Sequence, residues 1–188
     1  MRVIAGQYRS RVLVTPEGWK TRPTSDRLRE TLFNVLAPKI KGAVFLDLYA
    51  GSGAVGIEAL SRGAREAIFV EQAQAALKAI RANLASLSIR GGYALEACGV
   101  GAALNRLSSP ERTADIVFLD PPYESADEYE LTLSLLGGTS SGLLAAGAIV
   151  IAEHAKKNDL NERYGDLLRY RVLKQGDAAL SFYSVSAA

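Results

Sequence analysis

The chain has 188 residues, 48% hydrophobic and 22% charged, enough for one compact domain that buries about two-thirds of its unfolded surface. One cysteine, Cys98, and one histidine, His154, exclude an internal disulfide, a cysteine-cluster metal site and a multi-histidine site, so no metal is expected and the chemistry falls to carboxylates, amides, hydroxyls and backbone. The net charge of +2 hides an asymmetry, since residues 1–41 carry nine Lys/Arg against three acids and residues 42–188 carry 13 against 17: a basic arm on a mildly acidic body, which suits a polyanionic partner.

No apolar run approaches the roughly 20 residues of a membrane span, and the start, Met1-Arg2-Val3-Ile4-Ala5-Gly6, lacks the long apolar stretch of a secretory signal. A cytoplasmic location is expected. The spacing predicts two short strands, residues 2–8 and 11–15, flanking a tight turn as a basic hairpin that Pro16 and Gly18 close. Pro23-Thr24-Ser25-Asp26 supplies helix-start chemistry, and Leu28, Leu32, Val35 and Leu36 recur at helical spacing until Pro38. Arg22, Arg27 and Arg29 cluster at that start; with Arg2, Arg9 and Arg11 they are the candidate contacts to a polyanion.

From residue 43 short apolar runs alternate with helical stretches. Residues 43–48, 67–70, 93–97, 116–119 and 148–151 read as buried strands, and residues 54–62, 74–87, 101–107 and 128–136 read as helices between them. This β-α-β-α rhythm predicts an α/β fold, a mostly parallel sheet with helices on both faces. Residues 168–173 and 179–185 flank Gln175-Gly176-Asp177 and predict a terminal hairpin that adds an antiparallel strand. The expected organisation is a basic hairpin and helix over residues 1–41 and a catalytic body over 42–188, together one compact unit.

Two segments carry chemistry. In Asp47-Leu48-Tyr49-Ala50-Gly51-Ser52-Gly53-Ala54-Val55-Gly56 three glycines stand at G-x-G-x-x-G spacing between a strand and a helix, and Glu71 follows Gly51 by 20 residues at the end of the next strand. That pattern suits a nucleotide-type ligand, with Glu71 placed for ribose hydroxyls. Two ligand classes compete. A dinucleotide lays its pyrophosphate on the helix N-terminus, where Asp47 would repel it, whereas the same carboxylate attracts the ammonium and sulfonium of S-adenosylmethionine.

The second segment, Asp120-Pro121-Pro122-Tyr123, ends an apolar strand. Two prolines fix the backbone and remove two N–H donors, leaving carbonyl acceptors. An exocyclic base amine donates two protons, so a carboxylate and a rigid carbonyl can hold it while the ring stacks on an aromatic face such as Tyr123. The amine's lone pair is delocalised into the ring; acceptors that favour its tetrahedral form stabilise the transition state over the ground state.

These two segments resemble the motifs of S-adenosylmethionine-dependent amino methyltransferases. Thr21-Arg22-Pro23-Thr24, Arg29-Glu30-Thr31-Leu32-Phe33-Asn34, the Asp47–Gly53 loop and Glu58-Ala59-Leu60-Ser61-Arg62-Gly63-Ala64 together resemble the bacterial 16S rRNA guanine-N2 methyltransferases of the RsmD type, over most of residues 1–123. The resemblance implies a Rossmann-like class I methyltransferase fold of seven strands with the last antiparallel. It also implies methylation of one guanine in 16S rRNA within the 30S subunit or a late assembly particle, by a protein read here as a monomer. By the same resemblance the donor is S-adenosylmethionine, leaving S-adenosylhomocysteine. Asp47, Gly51 and Gly53 would hold its methionine end and Glu71 its ribose, with Tyr49, Ala50, Ser52, Gln72 and Asp120 completing the donor site. Asp120, Pro121 and Tyr123 would hold the guanine. The arginines named above would face RNA. Glu96-Ala97-Cys98-Gly99-Val100 departs from the pattern by offering no acid to the donor adenine, which leaves Glu96 or the backbone of residues 98–100.

The other candidates for the same segments are amino methylation at adenine N6 and a NAD-dependent enzyme. His154 reads as a packing residue and Cys98 as a small buried hydrophobe. Glu124, Asp127, Glu128 and Glu130 read as an acidic helix start, and Lys156–Lys157 as a solvated loop.

Overall fold

A computed structural model of the chain describes residues 1–16, 24–108, 112–122 and 126–185. It comprises two compact units, Met1–Gly99 and Val100–Ala188. Among the described residues no helix is long and apolar enough to cross a membrane.

The first unit begins with the basic arm. Arg2 and Val12 form one antiparallel bridge, supported by Val3 N–H to the Arg11 carbonyl (2.9 Å) and Leu13 N–H to the Met1 carbonyl (3.0 Å). The predicted hairpin is reduced to this bridge for an identifiable reason. Ile4 and Ala5 direct their N–H groups to the Glu58 carboxylate at 2.8 and 3.0 Å, and Tyr8 directs its own to Ser61 Oγ at 3.0 Å. Residues 4–8 therefore pair with a helix instead of with residues 11–15. The predicted closure at Gly18 falls outside the described residues.

Helix α1, Asp26–Ile40, starts at Ser25, whose Oγ accepts from Leu28 N–H. It carries Pro38 inside its last turn and ends two residues later than the sequence spacing suggests. Leu28, Arg29, Leu32, Phe33, Leu36 and Ile40 form its buried face. Then come β1 (Val44–Leu48), α2 (Ala54–Ser61), β2 (Glu66–Val70), α3 (Gln74–Ser86) and β3 (Tyr93–Glu96). β1 pairs with β2 and β2 with β3, both parallel, in the order β3-β2-β1. β1 is buried along its whole length, as a parallel strand covered on both faces must be.

The second unit holds α4 (Val100–Leu107), β4 (Ala114–Leu119), α5 (Ala126–Leu136), β5 (Leu144–Ala155), β6 (Arg163–Tyr164), β7 (Leu167–Gln175) and β8 (Ala178–Val185). Its strand order is β4-β5-β8-β7-β6. β4 and β5 are parallel, and β8 runs antiparallel to both β5 and β7. The terminal hairpin turns through Gly176 at φ 60°, a conformation that glycine adopts without steric cost. Two differences from the sequence reading stand out. Among the described residues there are eight strands instead of seven, the extra one being the two-residue β6 against β7. β5 spans 12 residues where the apolar run marks four, because pairing with β8 carries it on to Ala155.

A buried charge cluster fastens the arm to α2. Glu58, fully buried, accepts from Ile4, Ala5 and Arg62 Nε (2.7 Å). Arg29 is also fully buried and donates through Nη2 to the Arg2 carbonyl (2.5 Å) and to Asp26 (3.0 Å). Its Nε lies 3.9 Å from Glu58, an ion pair but too long for a hydrogen bond. Burial draws the Arg29 pKa down, against Asp26 and Glu58, which favour its charge. Removing one member of such a cluster strands the others in low dielectric. Glu58→Ala is expected to cost about 3–5 kcal/mol in urea-induced unfolding; a midpoint equal to the parent's would contradict this role.

Candidate donor-binding loop and basic arm

The loop between β1 and α2 is bent by three positive φ angles: Tyr49 at 60°, Gly51 at 57° and Gly53 at 77°. Tyr49 is the unusual member, because a bulky side chain rarely adopts this region. A Cβ at Gly56 would strike the Phe69 ring of β2, so the third glycine serves the close approach of α2 to the sheet. Ala50 N–H bonds the Val70 carbonyl at 3.0 Å, and Gly53 N–H bonds the Ala50 carbonyl at 2.7 Å.

Two buried acids complete the bend. Asp47 is 1% exposed, and its Oδ2 accepts from Gly56 N–H at 2.8 Å, inside the first turn of α2. Glu71 accepts from Gly51 N–H through Oε2 at 2.9 Å, and from Gln72 and Ala73 N–H through Oε1 at 2.8 and 2.9 Å. One carboxylate thus joins the loop to the start of α3. Ser52 is nearly buried, and its carbonyl accepts from Asn83 Nδ2 at 2.9 Å. Gln72 is exposed.

The chemistry of this arrangement is selective. The N–H groups of Gly51, Gly53 and Gly56, which a pyrophosphate would need, are already bonded within the protein. The side chains presented are acids, so the loop disfavours an anionic ligand group, and a cationic one would draw Asp47 toward its charged form. Burial, with Glu71 adding repulsion, pushes the Asp47 carboxyl up to about 8, against the Gly56 N–H bond that favours its charged form.

In the second unit, β4 delivers Asp120, half-buried, and Pro121, buried, at its end; Pro122 is exposed. Tyr123, the expected stacking residue, lies outside the described residues. His154 is buried, with Nε2 2.9 Å from Ser181 Oγ and Nδ1 3.0 Å from the Ala155 carbonyl, and burial lowers its pKa. It is a packing residue. Asp127 and Glu128 sit in the first turn of α5.

Of the arginines assigned to a polyanion, Arg2, Arg9, Arg11 and Arg27 are exposed. Arg2, Arg9 and Arg27 line a surface groove of about 390 Å³, which Asp26 and Glu30 also border. Arg11 reaches the Ser86 carbonyl at 2.9 Å. Arg22 lies outside the described residues. Arg29 is the correction: it has no exposed surface and bonds the arm's backbone, so it cannot present itself to a partner. Its place on the stripe shared with Leu32, Phe33 and Leu36 is the sequence signal for burial. Glu58 and Asn83, which sequence reasoning did not single out, also sit among apolar helix neighbours.

Parallel strands, a glycine bend over a buried acid and an antiparallel C-terminal hairpin define a Rossmann-like protein of the class I methyltransferase type. The model of the family described as conserved hypothetical protein 95 matches residues 1–184, and the chain belongs to that family. It is 37% identical over 187 residues to ribosomal RNA small subunit methyltransferase D of Escherichia coli K12, covering 100% of this chain and 91% of that one. The Haemophilus influenzae protein of the same name is 36% identical over 162 residues, 85% of this chain and 81% of its own. The solved structure of Escherichia coli yhhF superimposes with a TM-score of 0.83 at 36% identity, covering 100% of this chain and 99% of that one. The chain is therefore a member of a methyltransferase family.

The raised Asp47 pKa fixes a sign. Between the ordinary carboxyl value near 4 and about 8 the native state holds a proton that the unfolded chain has lost, so stability falls as pH rises through that window. Urea unfolding of the ligand-free protein should show this decline from about pH 5 to about pH 8, and Asp47→Asn should flatten it. An unchanged slope in the variant would assign the dependence elsewhere.

Proposed function

We propose that this protein transfers a methyl group from S-adenosylmethionine to the exocyclic N2 of a guanine in 16S rRNA, acting as a cytoplasmic monomer on the 30S subunit or a late assembly particle. The observation that carries the reading is the buried acid under a bend whose N–H groups are already bonded. This favours the sulfonium donor over NAD. The rRNA assignment is supported by the relatives named above and by the exposed Arg2, Arg9, Arg11 and Arg27.

The donor, when bound, supplies a methyl group activated on a positively charged sulfur. Asp47, Gly51 and Gly53 hold its methionine end, with Tyr49, Ala50, Ser52 and Gln72 around it, and Glu71 faces the ribose. Asp120 accepts a hydrogen bond from the guanine amine while the rigid Pro121 segment offers a carbonyl and Tyr123 a stacking face. As the N–C bond forms and the S–C bond breaks, positive charge moves onto the nitrogen, and the Asp120 carboxylate stabilises it. The sulfur keeps the S–C electron pair and leaves as a neutral thioether, and the nitrogen then releases one proton to water.

The test is product analysis. Incubation with labelled donor and 30S particles from a strain lacking the enzyme, followed by digestion, should yield N2-methylguanosine; labelled N6-methyladenosine or no labelled nucleoside would overturn the assignment. Asp120→Ala should lower turnover by about 10²-fold or more with donor affinity mostly retained, and parental turnover would remove Asp120 from the mechanism.

A further inference from the structure

Asn83 lies in α3, 1% exposed, and its carboxamide joins two segments distant in sequence. Oδ1 accepts from Val14 N–H at 2.8 Å, while Nδ2 donates to the Val14 carbonyl at 3.0 Å and to the Ser52 carbonyl at 2.9 Å. Val14 belongs to the basic arm and Ser52 to the bend between β1 and α2. One acceptor and two donors meet one N–H and two carbonyls, a set that a carboxylate or an aliphatic side chain cannot supply.

The apolar side of the arm follows the same route. Leu13 packs into the core cluster that contains Ala50 of the bend and Ala54 at the start of α2. Val12 and Val14 point outward at 74% and 51% exposure, beside the exposed Arg11. The arm thus has an outer side on which Arg11 stands with two exposed valines, and an inner side seated on the loop. The Glu58 and Ser61 bonds hold the arm to α2; the Asn83 carboxamide also bonds the backbone of the bend.

We propose that Asn83 is a positioning residue that couples RNA binding on the arm to donor binding in the loop, so that each ligand tightens the other. This rests on the reading above, that the donor sits in the loop and rRNA on the arm. RNA seated on the arm's outer side restrains Val14 further, and the restraint passes through the Asn83 carboxamide to the Ser52 carbonyl. The donor then meets a bend already in its binding geometry. Such coupling is reciprocal in binding affinity.

The experiment measures S-adenosylhomocysteine affinity with and without saturating 30S particles that lack the modification. It compares the parent, Asn83→Leu and Val14→Pro. The last variant removes the arm-side N–H at an exposed position, so it tests the link even where the core substitution fails to fold. The parent should show donor affinity raised about fivefold or more by the particles. Both folded variants should bind each ligand singly yet show a factor below about two. A parental factor in either folded variant, or a factor of one in the parent with both ligands bound, overturns the proposal. Failure of the underlying reading looks different: the parent then binds no S-adenosylhomocysteine or no particle, and the coupling falls with it.

Discussion

The bend between β1 and α2 is held by carboxylates bonded to backbone N–H groups. Glu71 ties Gly51 to Gln72 and Ala73, and Asp47 ties the end of β1 to Gly56. A helix N-terminus ordinarily offers its N–H groups to an anion. Here the protein's own acids take up part of that capacity, and a cationic ligand group beside Asp47 would draw it toward its charged form. The preference for a cationic donor follows from this, and so does the cost borne by Asp47, whose burial raises its pKa.

The same first unit joins this loop to a basic arm. Glu58 and Ser61 take the arm's early N–H groups, and Asn83 takes both backbone groups of Val14. A short segment that would be marginal as an isolated hairpin is ordered by side chains of α2 and α3, leaving its arginines on the outside. Sequence-distant groups thus give the arm its shape.

What the sequence made legible divides along the range of the interactions. The parallel strands and the glycine bend announce themselves through local pattern: a continuous apolar run such as Val44–Leu48, then glycines at fixed spacing. Glu71 was readable because its distance from Gly51 is a property of the β-α-β unit, although its bonds to the loop backbone were not foreseen. The apolar run marks only four residues of β5 because its C-terminal end owes its strand state to β8 and its start at Leu144 pairs with β4, and β6 is too short for any periodicity. Arg29 was read as a surface cation from its type, whereas its helical phase with Leu32, Phe33 and Leu36 buries it. Glu58 and Asn83 bond backbone more than 50 residues away, which no local window contains.

The proposed preference of the loop is for a positively charged donor over a dinucleotide. Titration calorimetry of the ligand-free protein with S-adenosylhomocysteine, which keeps the ammonium group, and in parallel with NAD tests it most directly. Saturable binding of the first and none of the second is the predicted result. Saturable binding of NAD, or no binding of S-adenosylhomocysteine, would contradict it.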